Sequence, residues 1–150
     1  MLDAYLHQQA GQDVKRSLSA VFVLPHEITT VKGYYTLSND SIAIVIVPEE
    51  IAKKMPKGYK TLPATLLGRL AVDQKFIKQG LGELLLMDAL KRSYDVSKNS
   101  LGSMAVIVDP IDEEAKGFYN KYGFIELPVS GKMFLPMDTI EKLLTSLNLL

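Results

Sequence analysis

The stretch that decides the fold reads LLGRLAVD at residues 66–73 and is followed by QGLG at residues 79–82. The first part is an apolar run of strand length, and it predicts a strand over residues 65–72. The second part is a glycine turn that opens an apolar helix over residues 80–94. Such a unit aims free backbone N–H groups and the positive end of the helix dipole at one point. The sequence therefore predicts an anion site suited to a phosphate or pyrophosphate.

A second stretch, GFYNKYGF at residues 117–124, adds candidate acyl-transfer chemistry. It belongs to a predicted helix in which Asp109 is the cap, Pro110 is the first helical residue and Gly123 follows the last one. A tyrosine hydroxyl on this helix can serve as a general acid. The predicted apolar stripe of the helix consists of Ala115, Phe118, Tyr119 and Tyr122.

The composition is that of one soluble globular domain. Of the 150 residues 47% are hydrophobic and 23% are charged, and the net charge is zero, which is ordinary for such a domain. The absence of cysteine excludes disulfides, thiolate nucleophiles and zinc–thiolate sites. Only His7 and His26 are available as imidazole ligands, so we expect no metal. The longest apolar run, residues 42–47, is too short for a membrane span, and no signal peptide is visible; we expect a cytoplasmic protein with no membrane partner.

The periodicity along the chain predicts a single mixed α/β domain over residues 1–150. Pro25 and Pro48 are expected to stop strands, and the run at residues 104–108 fits a strand covered on both faces. Met104, Met133 and Met137 are interpreted as core residues. The predicted strands are 19–24, 31–37, 41–47, 65–72 and 104–108. Four helices are predicted. The first runs through residues 2–18, and its apolar stripe consists of Leu2, Tyr5, Leu6, Ala10, Val14 and Leu18. The others cover residues 80–94, with Leu81, Leu84, Leu85 and Ala89 pointing inward, residues 110–122, and a terminal segment opened by Asp138 with Glu141.

Two common nucleotide sites do not fit the glycine turn. A Rossmann fingerprint needs a third glycine, and Leu85 stands in its place. The Gly-Lys-Ser/Thr sequence of a Walker site occurs nowhere in the chain. A dinucleotide or nucleoside triphosphate site is therefore not expected.

The combination resembles the GNAT family of acetyl-CoA-dependent N-acetyltransferases. The family motif Arg/Gln-x-x-Gly-x-Gly/Ala opens the helix after the fourth strand and binds the CoA pyrophosphate, and here it reads IKQGLG at residues 77–82. The resemblance implies acetyl-CoA as cosubstrate and a central, mostly antiparallel sheet with a parallel splayed strand pair and helices on both faces. Because Ile77 replaces Arg or Gln, backbone amides and Lys78 are left to hold the pyrophosphate. The implied CoA-binding residues are Leu70, Ala71 and Val72, whose backbone would pair with pantetheine, together with Lys78, Gln79, Gly80, Leu81, Gly82, Phe118 and Tyr119.

Within that family the chain resembles the acetyltransferase toxins of toxin–antitoxin modules over nearly its whole length. The similar stretches are LDAYL (2–6), QA and QD (9–10, 12–13), GYYTLS (33–38), LGRLAVD (67–73) and GFY (117–119). The resemblance implies acetylation of the α-amine of aminoacyl-tRNA, neutralisation by a ribbon–helix–helix antitoxin, and Tyr119 in the position of the catalytic tyrosine. The family also has an N-terminal stretch with a strand that this chain is expected to lack.

The chemistry assigns roles to a few residues. The amine attacks the thioester carbonyl, a backbone N–H near Val72 can hold the oxyanion, and Tyr119 can protonate the leaving sulfur. Arg69 either makes a structural contact at the sheet or guides an RNA phosphate. Lys53, Lys54, Lys57 and Lys60 form either a solvated loop or a basic lip for tRNA.

Alternative interpretations remain open from the sequence. Tyr119 lies on the apolar stripe of its helix and, apart from the resemblance, fits a core position as well. A metabolic or protein-directed GNAT enzyme is a second hypothesis. A non-catalytic relative that binds CoA or an antitoxin is a third, motivated by Ile77 and the short N-terminus. Exposed apolar residues near the C-terminus suggest a homodimer.

Overall fold

Six helices and six strands lie within the residues that the structure describes. The computed structural model describes residues 2–150, and for Leu2 only the backbone; the predicted role of its side chain in a helical stripe lies outside the described part. Short 3₁₀ turns occur at Ile44–Ile46 and Gln74–Phe76. The elements are α1 (Leu2–Gln8), α2 (Ala10–Lys15), β1 (Ala20–Glu27), β2 (Thr30–Ala43), α3 (Glu49–Ala52), β3 (Thr61–Val72), α4 (Leu81–Asn99), β4 (Ala105–Val108), α5 (Glu113–Lys121), β5 (Ile125–Glu126), β6 (Met133–Pro136) and α6 (Met137–Ser146).

The strands form one six-stranded mixed sheet in the order β1-β2-β3-β4-β6-β5. The pairs β1–β2, β4–β6 and β5–β6 are antiparallel, whereas β3 and β4 run parallel. Helix α4 makes the crossover between the two parallel strands, as a parallel pair requires. The predicted mixed α/β class with one parallel pair in a mostly antiparallel sheet is thus confirmed.

The chain divides into two compact units. The N-terminal unit comprises the residues up to Ser38 together with Leu67–Leu90. Its cluster of buried side chains consists of Tyr5, Ala10 and Tyr34, with Leu6, Val21 and Ala71 packed against them. Helices α1 and α2 therefore cover residues of β2 and β3 within this unit.

The C-terminal unit comprises Asn39–Leu66 and Lys91–Leu150. All four residues of β4 are buried, which confirms the prediction of a strand covered on both faces. Met133 and Met137 are buried and Met104 packs against the core, as predicted. The core cluster comprises Ile42, Val47, Leu62, Ala64, Ala105, Ile107, Leu127 and Phe134.

The single helix predicted over residues 2–18 is wrong. The structure has two short helices that meet at Gln9, and the second ends before Ser17, which adopts a positive φ of 59°. Val14 and Leu18, predicted to be apolar-face residues, are 50% and 64% exposed. The break places the side chain of Asp13 against Tyr5, so a polar contact replaces the continuous apolar stripe.

The strand ends predicted at Pro25 and Pro48 are also wrong. Pro25 lies inside β1, with register shifts on both sides of it. Because β1 is the edge of the sheet, a residue without an N–H can be accommodated there. The predicted strands over residues 31–37 and 41–47 are instead one long strand, β2, followed by the 3₁₀ turn at Ile44–Ile46.

Three helix ends differ from their predictions. The cap of α5 is Asp112, whose Oδ1 accepts a hydrogen bond from the Ala115 N–H at 2.8 Å, so Asp109 and Pro110 precede the helix. Helix α6 starts at Met137, and neither Asp138 nor any other side chain caps it. Helix α4 runs to Asn99, past the predicted end at residue 94, and Leu84, predicted to point inward, is 53% exposed. Gly123 follows α5 with a φ of 94°, as predicted.

None of the helices described within residues 2–150 is both long and apolar enough to cross a bilayer.

Candidate active site

The glycine turn leads directly into α4 in the N-terminal unit. Asp73 caps the preceding 3₁₀ turn through a 2.8 Å hydrogen bond from the Lys75 N–H. Gly80 has a φ of 74°, which glycine adopts without strain, and Lys78 has a φ of 69°, which is uncommon for a residue with a Cβ. Residues 77–80 are exposed. The turn therefore presents its backbone to solvent.

The first turn of α4 supplies the free amides that the sequence predicts. The hydrogen-bond ladder begins with the Leu84 N–H and the Gly80 carbonyl, at 3.1 Å. The N–H groups of Leu81, Gly82 and Glu83 precede this bond and have no partner within the helix. The dipole of a 19-residue helix lies behind them, and this geometry is suited to an anion.

The end of β3 has a defined side for an additional hydrogen-bonding partner. The Arg69 N–H donates to Thr36 Oγ1 at 3.0 Å, and the Asp73 N–H donates to the Lys32 carbonyl at 2.7 Å, so these groups face β2. Backbone direction alternates along a strand. The backbone N–H and C=O groups of Leu70 and Val72 consequently point away from β2.

Gly33 brings the β2 and β3 backbones unusually close at this place. A Cβ on Gly33 would lie 2.6 Å from the Ala71 carbonyl oxygen, 2.8 Å from Leu85 Cδ1 and 3.4 Å from Val72 Cα. Any side chain larger than hydrogen would therefore displace the end of β3 or the start of α4. The Ala71 carbonyl thus faces β2. Of the three predicted pantetheine partners, only Leu70 and Val72 therefore direct their backbone groups away from β2. In the sequence, Gly33 stands out only as the first residue of the stretch GYYTLS, and nothing local to it predicts this close approach.

Tyr119 lies on α5 in the C-terminal unit and is only 8% exposed. Its ring packs edge-on against Phe118, at 5.3 Å between ring centroids, and contacts Phe124 at 5.2 Å. Burial raises the pKa of the Tyr119 hydroxyl to about 12. That hydroxyl makes no hydrogen bond to any residue in the range 2–150. The side chain is therefore a fixed, protonated phenol with a free donor.

A groove of about 620 Å³ lies beside the same helix, between α5 and strands β5 and β6. Lys116 and Glu126 form an ion pair at 3.0 Å within it. The hydrogen bond to Glu126 raises the pKa of Lys116. None of the predicted site residues lines this groove.

Arg69 lies half-buried on β3, over the ring of Tyr5. Burial, followed by a hydrogen bond to Asp13, raises the pKa of Tyr5. Burial also raises the pKa of Tyr34 to about 12, although the nearby Arg69 charge opposes that shift. Sequence reasoning singled out Arg69 but missed Tyr5 and Asp13, because these residues are brought to it only by folding.

The lysines predicted to form a basic lip follow α3 in the C-terminal unit. All four are exposed, and none makes an ion pair with another described residue. Gly58, with a φ of 97°, turns the chain between them. The group consists of Lys53, Lys54, Lys57 and Lys60. In the part of the chain that the structure describes, no three His, Cys, Asp or Glu side chains are grouped to hold a metal ion.

A model of the acetyltransferase (GNAT) domain matches residues 45–137, more than half of the chain. The chain belongs to the GNAT acetyltransferase family. The resemblance given by the glycine turn is thereby confirmed, and the chain is an N-acetyltransferase of the GNAT type.

Two relatives of this GNAT chain carry toxin names. The tRNA-acetylating toxin of Mycobacterium tuberculosis is 35% identical over 123 residues, which cover 82% of this chain and 71% of the relative. The probable toxin TacT of Sinorhizobium fredii is 30% identical over 152 aligned positions, which cover 95% of this chain and 83% of the relative.

The chain is also similar to solved structures of KacT and AtaT. A tyrosine-to-phenylalanine mutant of KacT matches with a TM-score of 0.87 and 31% identity, over 95% of this chain and 85% of that one. AtaT complexed with acetyl-methionyl-tRNAfMet matches with a TM-score of 0.86 and 28% identity, over the same shares. Further similar structures contain AtaT with its antitoxin AtaR and AcCoA, or a tyrosine-to-phenylalanine mutant of AtaT bound to the C-terminus of AtaR.

Proposed function

We propose that this GNAT enzyme is a toxin that transfers the acetyl group of acetyl-CoA to the α-amine of an aminoacyl-tRNA. Its similarity to a tRNA-acetylating toxin and to AtaT bound to acetyl-methionyl-tRNAfMet supports this substrate class. The observation that carries the catalytic part is Tyr119, a buried phenol whose burial keeps it protonated and whose hydroxyl has no partner among the described side chains. Because the substrate is charged tRNA, we expect the enzyme to act in the cytoplasm.

Acetyl-CoA binding is assigned to the N-terminal unit. The free amides of Leu81 and Gly82 at the start of α4 suit the pyrophosphate. The turn residues Lys78, Gln79 and Gly80 frame the same anion site, and Lys78 adds a positive charge where Ile77 offers no polar group. The outward backbone groups of Leu70 and Val72 suit the amides of pantetheine, whereas Ala71 contributes chiefly through its place in the strand.

The reaction needs stabilisation of charge at one oxygen. As the amine nitrogen bonds to the thioester carbon, negative charge develops on the carbonyl oxygen. We assign the N–H of Val72 to this oxygen, because that group points away from β2 and is free to donate. A fixed N–H needs no reorganisation during the reaction, which is why such donors lower the barrier.

Tyr119 is assigned to the leaving group. When the carbon–sulfur bond breaks, its electron pair stays on sulfur, and the Tyr119 hydroxyl donates a proton to it. The Tyr119 phenolate then regains a proton from solvent. The attacking amine must arrive neutral, and its surplus proton passes to solvent after the amide bond forms. Phe118, packed edge-on against Tyr119, fixes the phenol and offers an apolar surface near CoA. Tyrosine-to-phenylalanine mutants of both KacT and AtaT are among the similar structures, which supports a tyrosine in this role.

Substrate tRNA is assigned to basic side chains that form no ion pair with a described residue. Lys53, Lys54 and Lys57 are exposed and unpaired with any described acid, so they can neutralise phosphates. Arg69, half-buried on β3, is the second basic element. A net charge of zero leaves these local patches, rather than the whole surface, to attract RNA.

We also propose a ribbon–helix–helix antitoxin as partner and a homodimer as the assembly. The complexes of AtaT with AtaR and the complex of KacTA with DNA support an antitoxin partner. Exposed apolar residues beyond α6 support association between copies: Leu147, Leu149 and Leu150.

The proposal is tested by mass spectrometry of total charged tRNA after incubation with acetyl-CoA. We expect acetylated aminoacyl esters with the wild type, a loss with Tyr119→Phe, and full activity with Tyr94→Phe. The last variant removes a phenol that bonds Glu141 at the surface (2.6 Å), so it is a matched control. Confirmed CoA binding without any acetylated aminoacyl ester would overturn the proposal. Acetylation of small amines or peptides alone would favour a metabolic or protein-directed enzyme instead.

A further inference from the structure

The guanidinium of Arg69 packs against an aromatic ring, and its N–H donors have no partner among the described residues. Its central carbon lies 3.6 Å from the centroid of the Tyr5 ring, a close cation–π contact. The side chain is half-buried. Yet within residues 2–150 it forms no salt bridge and no side-chain hydrogen bond. A structural arginine at a sheet normally directs some of its five N–H groups to carboxylates or carbonyls.

Tyr5 is itself fixed at its polar end. It is 6% exposed, and its hydroxyl donates to Asp13 Oδ2 at 2.7 Å. Gln9 Nε2 donates to the other oxygen of Asp13 at 3.1 Å, and the ring of Tyr34 stacks at 6.2 Å between centroids. The hydrogen bond from Tyr5 lowers the pKa of Asp13, so the acceptor stays ionised. The break between α1 and α2 thus brings Asp13 to Tyr5, and Tyr5 to Arg69.

In this arrangement Tyr5 and Asp13 position the Arg69 side chain, while the N–H groups of Arg69 remain available to bind a ligand. A free arginine side chain loses much rotamer freedom when it binds an anion, and a side chain that is already ordered loses less. The planar fork of guanidinium N–H groups matches phosphate oxygens. The cluster therefore has the properties of a prepared phosphate site.

We propose that Tyr5, oriented by Asp13, is a positioning residue that holds Arg69 for a phosphate of the single-stranded 3′ end of the tRNA substrate. The proposal rests on the proposed function. Arg69 precedes Val72 by three residues on β3, so about 10 Å of strand separates them. A group held at Arg69 is therefore within a few nucleotides of an aminoacyl ester at Val72. Arginine planes are a common surface for unstacked RNA, which favours RNA over a protein carboxylate as the occupant.

The test compares two substrates with the full-length enzyme. One is aminoacyl-tRNA, and the other is the aminoacyl ester of adenosine, which carries the same amine but no phosphate. The measured ratio is kcat/KM for aminoacyl-tRNA divided by kcat/KM for the adenosine ester. We expect Arg69→Gln to lower this ratio about tenfold, the order of one charge-assisted contact. The change should lie in the KM for aminoacyl-tRNA rather than in kcat. The dependence of log KM on log salt concentration should flatten by about 0.7, the value for one phosphate on a single strand. Arg16→Gln, which removes an exposed arginine of the same unit, is the matched control.

The positioning role is tested by a double-mutant cycle. Tyr5→Leu should lower the same ratio severalfold in the wild-type background and leave it unchanged in the Arg69→Gln background. Tyr5→Phe, which keeps the ring face, should restore most of the ratio. If Tyr5→Leu fails to fold, Asp13→Asn replaces it in the cycle, because it changes only the edge of the cluster. Asp13→Asn should lower the ratio when Arg69 is present and leave it unchanged in the Arg69→Gln background.

Three results would overturn the proposal. The first is that the double variant Tyr5→Leu/Arg69→Gln lowers the substrate ratio by the product of the two single losses. The second is that Arg69→Gln leaves the ratio unchanged. The third is that Arg69→Gln loses only neutralisation by the cognate antitoxin, which would assign Arg69 to an antitoxin carboxylate. In each of these cases the wild type still acetylates tRNA, and the proposed function stands. A wild type that acetylates no charged tRNA would overturn both.

Discussion

Gly33 of β2 lies so close to the end of β3 that a Cβ there would stand 2.6 Å from the carbonyl oxygen of Ala71. Ala71 lies between Leu70 and Val72, the two residues whose backbone faces the proposed pantetheine. The close approach therefore fixes the strand segment to which we assign pantetheine binding and oxyanion stabilisation. These contact distances leave room only for glycine at this position.

Gly33→Ala should weaken both the fold and the binding of acetyl-CoA. Overpacking at this contact is expected to lower the free energy of unfolding by about 1–3 kcal/mol and to raise the KM for acetyl-CoA as Leu70 and Val72 shift. Urea unfolding and initial rates measure the two effects. Gly11→Ala is the matched control, since a Cβ there meets nothing within 4 Å, and it should stabilise α2 by about 0.5–1 kcal/mol. Equal behaviour of the two variants would contradict the assignment.

Tyr119→Phe should reduce kcat without reducing stability. The ring contacts with Phe118 and Phe124 remain, and the removed hydroxyl has no hydrogen-bond partner among the described residues. Loss of a general acid is expected to lower kcat by about 10²–10⁴-fold, while thermal unfolding should be nearly unchanged. A variant with normal kcat would leave Tyr119 as a core residue, the other interpretation of its helical stripe.

The pH dependence of catalysis should have an acidic limb and no alkaline limb from Tyr119. The amine must be neutral, so the rate rises with pH through the pKa of the amine, about 8 for an ordinary α-amino group. Tyr119 acts in its protonated form, and with a pKa of about 12 it stays protonated up to pH 11. Initial rates from pH 6 to 10.5, corrected for ester hydrolysis, test this. A fall centred near pH 10 would mean that the phenol is solvated in the working enzyme.

Alkaline pH should destabilise the fold through two tyrosines. Burial raises the pKa values of Tyr34 and Tyr119 to about 12, above the value of about 10 in an unfolded chain. The resulting stability is complete below pH 10 and is lost as pH rises from 10 towards 12. Thermal unfolding from pH 9 to 11.5 measures the loss, which should be smaller in Tyr119→Phe. Parallel curves for the variant and the wild type would refute the contribution of Tyr119.

Neutralising the exposed lysines after α3 should weaken tRNA binding through charge alone. The triple change Lys53→Gln, Lys54→Gln and Lys57→Gln is expected to raise KM for charged tRNA. It should also flatten the dependence of log KM on log salt concentration by up to about 2, at about 0.7 for each phosphate contact. Stability should change by less than about 0.5 kcal/mol per site, since the exposed side chains form no ion pair with another described residue. Lys142→Gln, an exposed lysine on α6, serves as the comparison. Identical KM values would return the lysines to the role of a solvated loop.

Local patterns predicted those parts of the molecule that local physics decides. The glycine turn at residues 79–82, the buried run of β4 and the apolar stripe with Tyr119 each depend on neighbours within a few residues. Pro25 was misjudged because its effect depends on whether the strand is central or at an edge, which only the strand order reveals. The cap of α5 is Asp112 rather than the predicted Asp109. The sequence does not distinguish the two because both are aspartates, which suit a helix cap equally.

Long-range contacts account for the remaining differences. Nothing local to Tyr5 indicates Arg69, which follows it 64 positions later in the sequence. The close approach at Gly33 depends on Ala71 and Leu85, both on other elements. Contacts between distant segments therefore determine how the site is held, while short motifs reveal which groups it uses.

The two ends of the sheet have a consequence for how copies of the protein meet. At one end, β1 is interrupted at Pro25, which offers no N–H and shifts the register on both sides. At the other end, β5 has only two residues. Neither edge presents a long, regular row of main-chain donors and acceptors, so a neighbouring molecule finds little to pair with. Growth of a shared sheet from copy to copy is thereby discouraged, and contacts between molecules fall to side-chain surfaces.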